Sequence, residues 1–195
     1  MEMSSPQETL FATEPVRKLK RVEFDRLVAA GCFDDERVEL LFGVVVEMPP
    51  TDPSHDAGVY AVHMKLMRSI GERARVQCQS SFAASDESEP VPDVFVVSHG
   101  RDVWNEHATS AHLVVEVSNS SLRRDRGTKA LVYALTDVHE YWVVNLARGE
   151  VEVYRDREAG AWRTKSTHRR GETISPQAFP DVMVAVSEIV PPLEP

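Results

Sequence analysis

The sequence is organised around residues 92–129. It reads PDVFVV over residues 92–97 and LVVEVSNSSLRRDRGTK over residues 113–129. The two runs Val94–Val97 and Leu113–Val117 are rich in β-branched residues and are typical of buried strands. Each run carries one carboxylate, because Asp93 opens the first and Glu116 interrupts the second. A carboxylate in a buried strand is costly unless it is paired or binds a metal, so both acids are candidate site residues.

A polar turn and a helical pattern follow the second run. Residues 118–121 read SNSS and offer several N-cap side chains, and a helix is predicted from about Arg123 to Leu135. Lys129 and Tyr133 are four residues apart and therefore lie on one face of that helix. The sequence thus predicts two acids on strands and a lysine supplied by the next helix.

The rest of the chain extends this pattern on both sides. Hydrophobic periodicity predicts a short amphipathic helix ended by Gly31 and a second helix from about His55 to Arg73. Residues 37–48, hinged at Gly43, indicate a hairpin or a strand with a glycine bulge. Further strands are predicted at 76–83, 140–145 and 150–155, the last two forming a hairpin around 147–149. Together they predict an α/β (α+β) fold, a mixed twisted β-sheet flanked by helices, with an added N-terminal helix and hairpin.

Composition limits the protein class. The 195 residues are 42% hydrophobic and 27% charged, which fits a flexible tail over 1–16 and a single globular domain over 17–195. Apolar runs are too short to cross a bilayer, and the N-terminus has no apolar signal core, so we expect a cytoplasmic protein. Two cysteines are too few for a cysteine-based zinc site. A net charge of -9 argues against a protein that coats nucleic acid through its overall charge.

The acids and the lysine suit phosphodiester hydrolysis. That reaction uses a divalent cation, and Mg²⁺ or Mn²⁺ prefers carboxylate oxygens. Asp93 and Glu116 are the predicted ligands, with Glu39 as a third. Lys129 lies beside carboxylates that raise its pKa, so we expect it to orient the attacking water rather than act as a base. His55, in the first turn of its helix, is a further catalytic candidate whose neutral imidazole could point into a cleft.

Each of these residues also has an ordinary structural interpretation. Lys129 could form a surface helix pair with Asp125. Glu116 could face outward on an edge strand, and Glu39 could do the same in the hairpin. Asp93, which follows a proline, could be a turn residue that hydrogen-bonds its own backbone.

At these residues the chain resembles the Uma family of predicted restriction endonucleases, within the PD-(D/E)XK nuclease superfamily. The matching segments occur in order along most of the chain. They are Glu39-Leu40 with Gly43 and Glu47-Met48, Pro53 with His55, Pro92-Asp93, Leu113–Ser118, Arg124-Asp125 with Lys129 and Tyr133, and Glu140-Tyr141-Trp142.

The resemblance implies a restriction-endonuclease-like core, often a homodimer, in which the acid pair binds the metal. The superfamily's lysine usually lies two residues after the second acid, where this chain has Ser118. Branches in which that lysine has moved to the following helix point to Lys129. DNA is the implied substrate, and a basic cluster of Arg123, Arg124 and Arg126 beside the site is the predicted phosphate contact.

Two competing functions remain open. One is a catalytically degenerate nuclease fold that acts as a binding or assembly module. The net negative charge of the chain favours this function. The other is a metal-dependent hydrolase of a different phosphate ester. If the protein dimerises, the apolar strand 141–144 is a plausible interface, provided that its edge is exposed.

Overall fold

A six-stranded sheet in the order β10-β9-β8-β6-β4-β3 forms the centre of the fold. The computed structural model describes residues 16–100 and 104–192. In the sheet, β6 and β8 run parallel while the other neighbours are antiparallel, so the sheet is mixed. Helices pack on both of its faces, which confirms the predicted α+β class.

The helices and strands come in a simple order along the chain. The helices are α1 (Arg21–Ala29), α2 (Pro53–Ile70), α3 (Leu122–Arg124) and α4 (Ala130–Leu135), with a π-helical segment, Asp125–Lys129, between the last two. The strands are β1 (Val38–Leu41), β2 (Val44–Glu47), β3 (Arg75–Cys78), β4 (Val94–Val97), β5 (Ser110–Ala111), β6 (Leu113–Ser118), β7 (Asp137–Val138), β8 (Tyr141–Asn145), β9 (Glu150–Glu158), β10 (Ala161–Arg169), β11 (Thr173–Ile174) and β12 (Val184–Ala185).

Helix α2 covers one face of the sheet. Its buried stripe, which includes Val62 and Leu66, packs on alternate residues of β6 such as Val115 and Val117. Gly58 permits this close approach, because a Cβ atom there would lie 2.8 Å from Cγ1 of Val117. The second turn of α2 is therefore held tightly against the end of β6.

The opposite face carries an aromatic core beneath α4. Tyr133 of α4 and Tyr141 of β8 are both fully buried, with ring centroids 5.0 Å apart. Phe82 and Phe95 extend this cluster toward β4. Aromatic packing of this kind fixes the angle of α4 on the sheet, and with it the position of the preceding π-helical segment.

Strand register brings the two predicted acids together. Val94 of β4 pairs with Val115 of β6 in an antiparallel ladder. Because the strands run in opposite directions, the next position along places Asp93 opposite Glu116. Both acids share the sheet face of Phe95 and Val114 rather than the face that packs on α2, since side chains alternate along a strand.

Several sequence predictions can be compared with these elements. The 37–48 segment is a hairpin, with backbone φ of +51° at Phe42 and +78° at Gly43 in its turn. The predicted strand at 76–83 is shorter and spans Arg75–Cys78. The tail prediction over 1–16 lies almost entirely outside the described residues. None of the helices described is long and apolar enough to span a membrane.

Strand 141–144 is not an exposed edge. β8 is hydrogen-bonded to β6 on one side and to β9 on the other, and Tyr141 and Trp142 are fully buried. The proposed dimer interface on this strand is therefore wrong, because neither edge is available to a second chain. The outer strands of the sheet are β10 and β3.

Candidate functional site

A polar cleft opens where the β1–β2 hairpin, the start of α2 and the ends of β4 and β6 meet. Its lining holds five acids and three permanent cations. The acids are Glu39, Asp52, Asp93, Glu116 and Asp125, and the cations are Arg37, Arg124 and Lys129. His55 lines the same cleft. The structure thus brings together the five catalytic and metal candidates that the sequence predicts.

Asp93 is fixed by two hydrogen bonds at the cleft. Its Oδ2 accepts from the backbone N–H of Val117 at 2.8 Å and lies 3.2 Å from Nε2 of His55. It does not cap its own turn, as the ordinary interpretation supposed. The hydrogen bond with Asp93 raises the pKa of His55 above its usual value, against the opposing effect of burial.

Lys129 and Glu116 form a buried ion pair. Nζ of Lys129 donates to Oε1 of Glu116 at 3.0 Å, and the Tyr133 hydroxyl donates to the same oxygen at 2.7 Å. Both charged side chains are no more than 6% exposed. The alternatives of an edge-facing glutamate and a surface helix pair are therefore wrong.

The π-helical segment positions Lys129. A π-helical turn is wider than an α-helical turn, and such segments are frequent at functional sites. Asp125 begins the segment, and its Oδ2 accepts hydrogen bonds from the hydroxyls of Ser118 at 2.7 Å and Ser121 at 2.5 Å. This bonding ties the helix start to the end of β6. Asp125 was predicted as a surface partner of Lys129 and belongs to a segment that resembles the family, but this anchoring contact was not predicted.

Glu39 also faces the cleft and is only 1% exposed. Its Oε2 lies 3.2 Å from Nζ of Lys129 and accepts a hydrogen bond from the N–H of Val91 at 3.2 Å. Its Oε1 is buried without a hydrogen-bond partner and lies 3.7 Å from Nη1 of Arg124. Glu39 therefore does not face outward, and it contacts two of the three cations of the cleft, Lys129 and Arg124, as well as the backbone of Val91.

The three predicted DNA-contacting arginines separate in the structure. Arg124 lines the cleft, and its Nη1 donates to the carbonyl oxygen of Glu47 at 3.2 Å. Arg126 instead donates through Nε to Oε2 of Glu152 on β9 at 3.0 Å. Arg123 is exposed and does not line the cleft. Arg124 is thus the one member of the cluster that lines the cleft.

Burial and the surrounding charges together shift the pKa values of Glu116 and Lys129. Burial raises the pKa of Glu116 well above its usual value, and the charges of Asp93, Asp125 and Glu39 add to the rise against the effect of Lys129. Burial alone would lower the pKa of Lys129, but the surrounding carboxylates, Glu116 first, outweigh burial and raise it. Lys129 therefore remains an ammonium at neutral pH.

The cleft suits a hard divalent cation in two respects. Its acids outnumber its fixed cations, and Oε1 of Glu39 is a buried oxygen without a hydrogen bond. Among the described residues, no group of three or more His, Cys, Asp or Glu side chains is arranged to bind one metal ion. Mg²⁺ commonly uses one or two carboxylates and keeps several water ligands, so Asp93 and Glu116 could supply the protein ligands of such an ion.

Two further cleft residues escaped sequence analysis. Asp52 caps α2 by accepting hydrogen bonds from the N–H groups of Ser54 and His55 through Oδ1, at 2.9 and 3.0 Å. Its other oxygen accepts from Nδ2 of Asn119 at 2.8 Å, which joins α2 to the turn after β6. The Asp-Pro pair at 52–53, an N-cap followed by proline at N1, is the sequence signal that could have revealed this cap.

Comparison with known proteins agrees with the fold. Residues 22–187 match the Uma2 family, described as "Putative restriction endonuclease". A crystal structure from Anabaena variabilis, titled a "putative nuclease belonging to DUF820", superimposes with a TM-score of 0.70 at 14% identity, covering 90% of this chain and 97% of that one. None of the curated proteins compared matches the sequence. At this identity the superposition establishes a shared fold.

Proposed function

The chain belongs to the Uma2 family, and from that membership we propose that it is a divalent-metal-dependent endonuclease that hydrolyses phosphodiester bonds of DNA. The observation that carries the proposal is the arrangement of Asp93, Glu116 and Lys129 at one end of the sheet. Two carboxylates on adjacent strands share a cleft with one buried ammonium, and a hydrogen bond of 3.0 Å joins the ammonium to the second carboxylate.

Asp93 and Glu116 would hold Mg²⁺ or Mn²⁺, and the bound ion would supply charge neutralisation on the phosphate and a lower pKa for a water molecule. Asp93 is oriented for this role by the Val117 N–H and by His55. Tyr133 fixes one oxygen of Glu116. These contacts hold the acids in place before substrate arrives, which lowers the ordering cost of binding.

Lys129 would orient the attacking water and stabilise negative charge that develops on the phosphate. Its raised pKa excludes a general-base role near neutral pH, because the ammonium has no lone pair to accept a proton. A fixed ammonium in a partly desolvated cleft stabilises a transition-state anion more strongly than the same group in water. Glu39 holds Lys129 from the second side.

Arg124 is the residue that would contact the DNA backbone. It is part-exposed at the cleft, with its guanidinium near Glu39 and the Glu47 carbonyl. A guanidinium can contact a phosphate through two parallel hydrogen bonds. Arg126 is assigned a structural role instead, because its guanidinium already donates a hydrogen bond to Glu152.

Supercoiled-plasmid cleavage tests the proposal. Purified protein is incubated with plasmid in Mg²⁺ or Mn²⁺, with EDTA as the metal-free arm. Asp93→Asn and Lys129→Ala are compared with Asp181→Asn, a control that changes an exposed carboxylate paired with Arg73. We expect metal-dependent nicking that falls at least about a hundredfold in both site variants, since a single group that stabilises transition-state charge is worth that much.

The outcomes separate the candidate functions. Nicking that persists in Asp93→Asn would come from a contaminant and would contradict the proposed site. A folded wild-type protein that cuts no plasmid but retards it in a gel would support the binding-module function. Hydrolysis of phosphate monoesters without any nicking would support a metal-dependent hydrolase of a different phosphate ester.

A further inference from the structure

A second cavity of about 960 Å³ lies beside the cleft. Arg37, Met48 and Val91 line both, so the two spaces are neighbours. Helix α1 forms one wall of this second cavity, which we call the side pocket. Its apolar lining includes Phe24 and Phe33, whose ring centroids are 5.8 Å apart. A pocket of this size with an aromatic wall suits a small flat ligand.

A buried carboxylate with one unpartnered oxygen lines the side pocket, and the same carboxyl group has side-chain hydrogen bonds with Ser81 and Asp25. Glu89 is only 4% exposed, and its Oε2 has no hydrogen-bond partner. The nearest cation is Arg21, whose Nη1 lies 3.8 Å away, and Nε of Arg21 is also buried without a partner. Buried polar atoms normally find partners, so an unused acceptor beside an unused donor indicates a ligand with the complementary pair.

The charge of the side pocket restricts that ligand. Four acids line it, Asp25, Glu36, Glu89 and Glu106, against two arginines. Under the proposed function the phosphate backbone lies in the neighbouring cleft with the metal ion, Arg124 and Lys129, so the side pocket would take another part of the nucleic acid. A neutral aromatic ring with a hydrogen-bonding edge fits these conditions.

We propose that the side pocket binds one unstacked nucleobase of the DNA strand in the cleft, and that it prefers bases carrying an exocyclic amino group. This inference rests on the proposed function. Oε2 of Glu89 would accept from the amino group, and Arg21 would donate to a ring nitrogen or carbonyl oxygen of the same edge. Phe33, which is part-exposed, would stack on the ring.

The chemistry predicts discrimination against thymine. Cytosine presents an amino group beside an acceptor nitrogen, whereas thymine presents a carbonyl oxygen at the same place. Two acceptors would then face each other at Glu89, and its Oε2 would remain without a hydrogen bond. The pocket therefore gives the cleft a base preference close to the scissile bond, without contacts in a duplex groove.

Fluorescence anisotropy with labelled single-stranded 12-mers of dC and of dT tests the inference. Binding is measured at pH 7.5 with Ca²⁺ in place of Mg²⁺, and gels confirm that the oligonucleotides stay intact. Three variants accompany the wild type. Glu89→Met removes the acceptor at similar volume, Phe33→Leu removes the stacking ring, and Glu158→Met changes an exposed acid at the far end of β9.

We expect the wild type and Glu158→Met to bind dC about tenfold more tightly than dT. Glu89→Met should reduce that ratio to about twofold or less, and Phe33→Leu should weaken binding of both strands. Wild-type binding without a base preference, or a preference unchanged in Glu89→Met, would overturn the inference and leave the nuclease proposal standing. Failure to bind either strand, with no plasmid cleavage, would overturn both.

Discussion

Nζ of Lys129 and Oε1 of Glu116 are 3.0 Å apart although 13 residues separate them in sequence. Two chain segments meet to make this contact: strand β6 and the π-helical segment that follows its polar turn. Since both groups are buried, neither can exchange its partner for water, and the pair acts as a fixed unit of the cleft.

Removing the ammonium should strongly destabilise the protein. Lys129→Met leaves Glu116 and Glu39 buried without their shared cation, and breaking a buried pair costs about 3 kcal/mol or more in the free energy of unfolding. The double variant Lys129→Met with Glu116→Gln should recover part of the loss, because one stranded charge is gone. Urea unfolding measures both, and a single-variant loss below about 1 kcal/mol would contradict the buried pair.

The Tyr133 hydroxyl should contribute to stability through Glu116. Tyr133→Phe removes a buried 2.7 Å hydrogen bond to a carboxylate, which is worth about 1.5 kcal/mol. Tyr60→Phe is the matched control, because Tyr60 on α2 is 65% exposed and its change should be within about 0.5 kcal/mol. Equal unfolding curves for the two variants would argue against this bond.

Much of the site could be predicted from the sequence because its acids interrupt apolar strands. Asp93 and Glu116 stand out in valine-rich runs, because burying a carboxylate is costly unless it is paired or binds a metal. Lys129 was found through helical spacing, and the family resemblance strengthened that assignment. In the N-terminal half, Gly43 between two β-rich runs indicated a hairpin or a glycine bulge, and the structure has the hairpin.

Other parts depend on contacts between distant segments and could not be predicted locally. Strand order decides that 141–144 is internal, and no local pattern distinguishes an internal strand from an edge strand of similar composition. Arg126 was grouped with Arg124 by proximity in sequence, yet Glu152 on a remote strand draws it away from the cleft. No amino-acid composition marks a π-helical turn, so this segment likewise could not be predicted from the sequence.

Metal binding should stabilise the fold. Acids that repel one another gain a counter-ion, so millimolar Mn²⁺ should raise the midpoint temperature of thermal unfolding. When the ion is at tenfold its dissociation constant, the free energy of unfolding should rise by about 1.4 kcal/mol. Asp93→Asn should abolish the shift, and Asp181→Asn, an exposed acid, should retain it. Differential scanning calorimetry gives the measurement, and an equal shift in both variants would point to binding elsewhere.

Glu152 should make stability depend on acid pH. Burial raises its pKa, but hydrogen bonds from Arg126, Tyr154 and Lys165 outweigh burial and lower the pKa below its usual value. A carboxyl with a lowered folded-state pKa stabilises the protein above its unfolded pKa of about 4.3 and loses that contribution as pH falls through the folded value.

The variant Glu152→Gln tests this dependence. It should cost about 1 kcal/mol at pH 7, a modest amount because Arg126 and Lys165 are part-exposed, and the difference from wild type should shrink below pH 4. Glu158→Gln, an exposed change on the same strand, should show no such convergence. A difference for Glu152→Gln that is constant from pH 7 to pH 3 would exclude the carboxylate as its source.

Gly58→Ala should weaken both the fold and the site. Alanine improves helix propensity by about 1 kcal/mol, but its methyl group would lie 2.8 Å from Cγ1 of Val117 and 3.2 Å from Cδ2 of Leu146. Overpacking of a core costs about 1–3 kcal/mol, so the net change should be a loss of roughly 1 kcal/mol.

Displacing α2 from β6 should also lengthen the contact between His55 and Asp93, because His55 is one turn earlier on α2. Gly127→Ala is the control for unfolding only, since nothing lies within 4 Å of a Cβ atom there but Gly127 belongs to the π-helical segment that positions Lys129. Urea unfolding of both variants and plasmid nicking of Gly58→Ala against wild type give the comparison, and a Gly58→Ala protein more stable than wild type would mean that α2 can shift without cost.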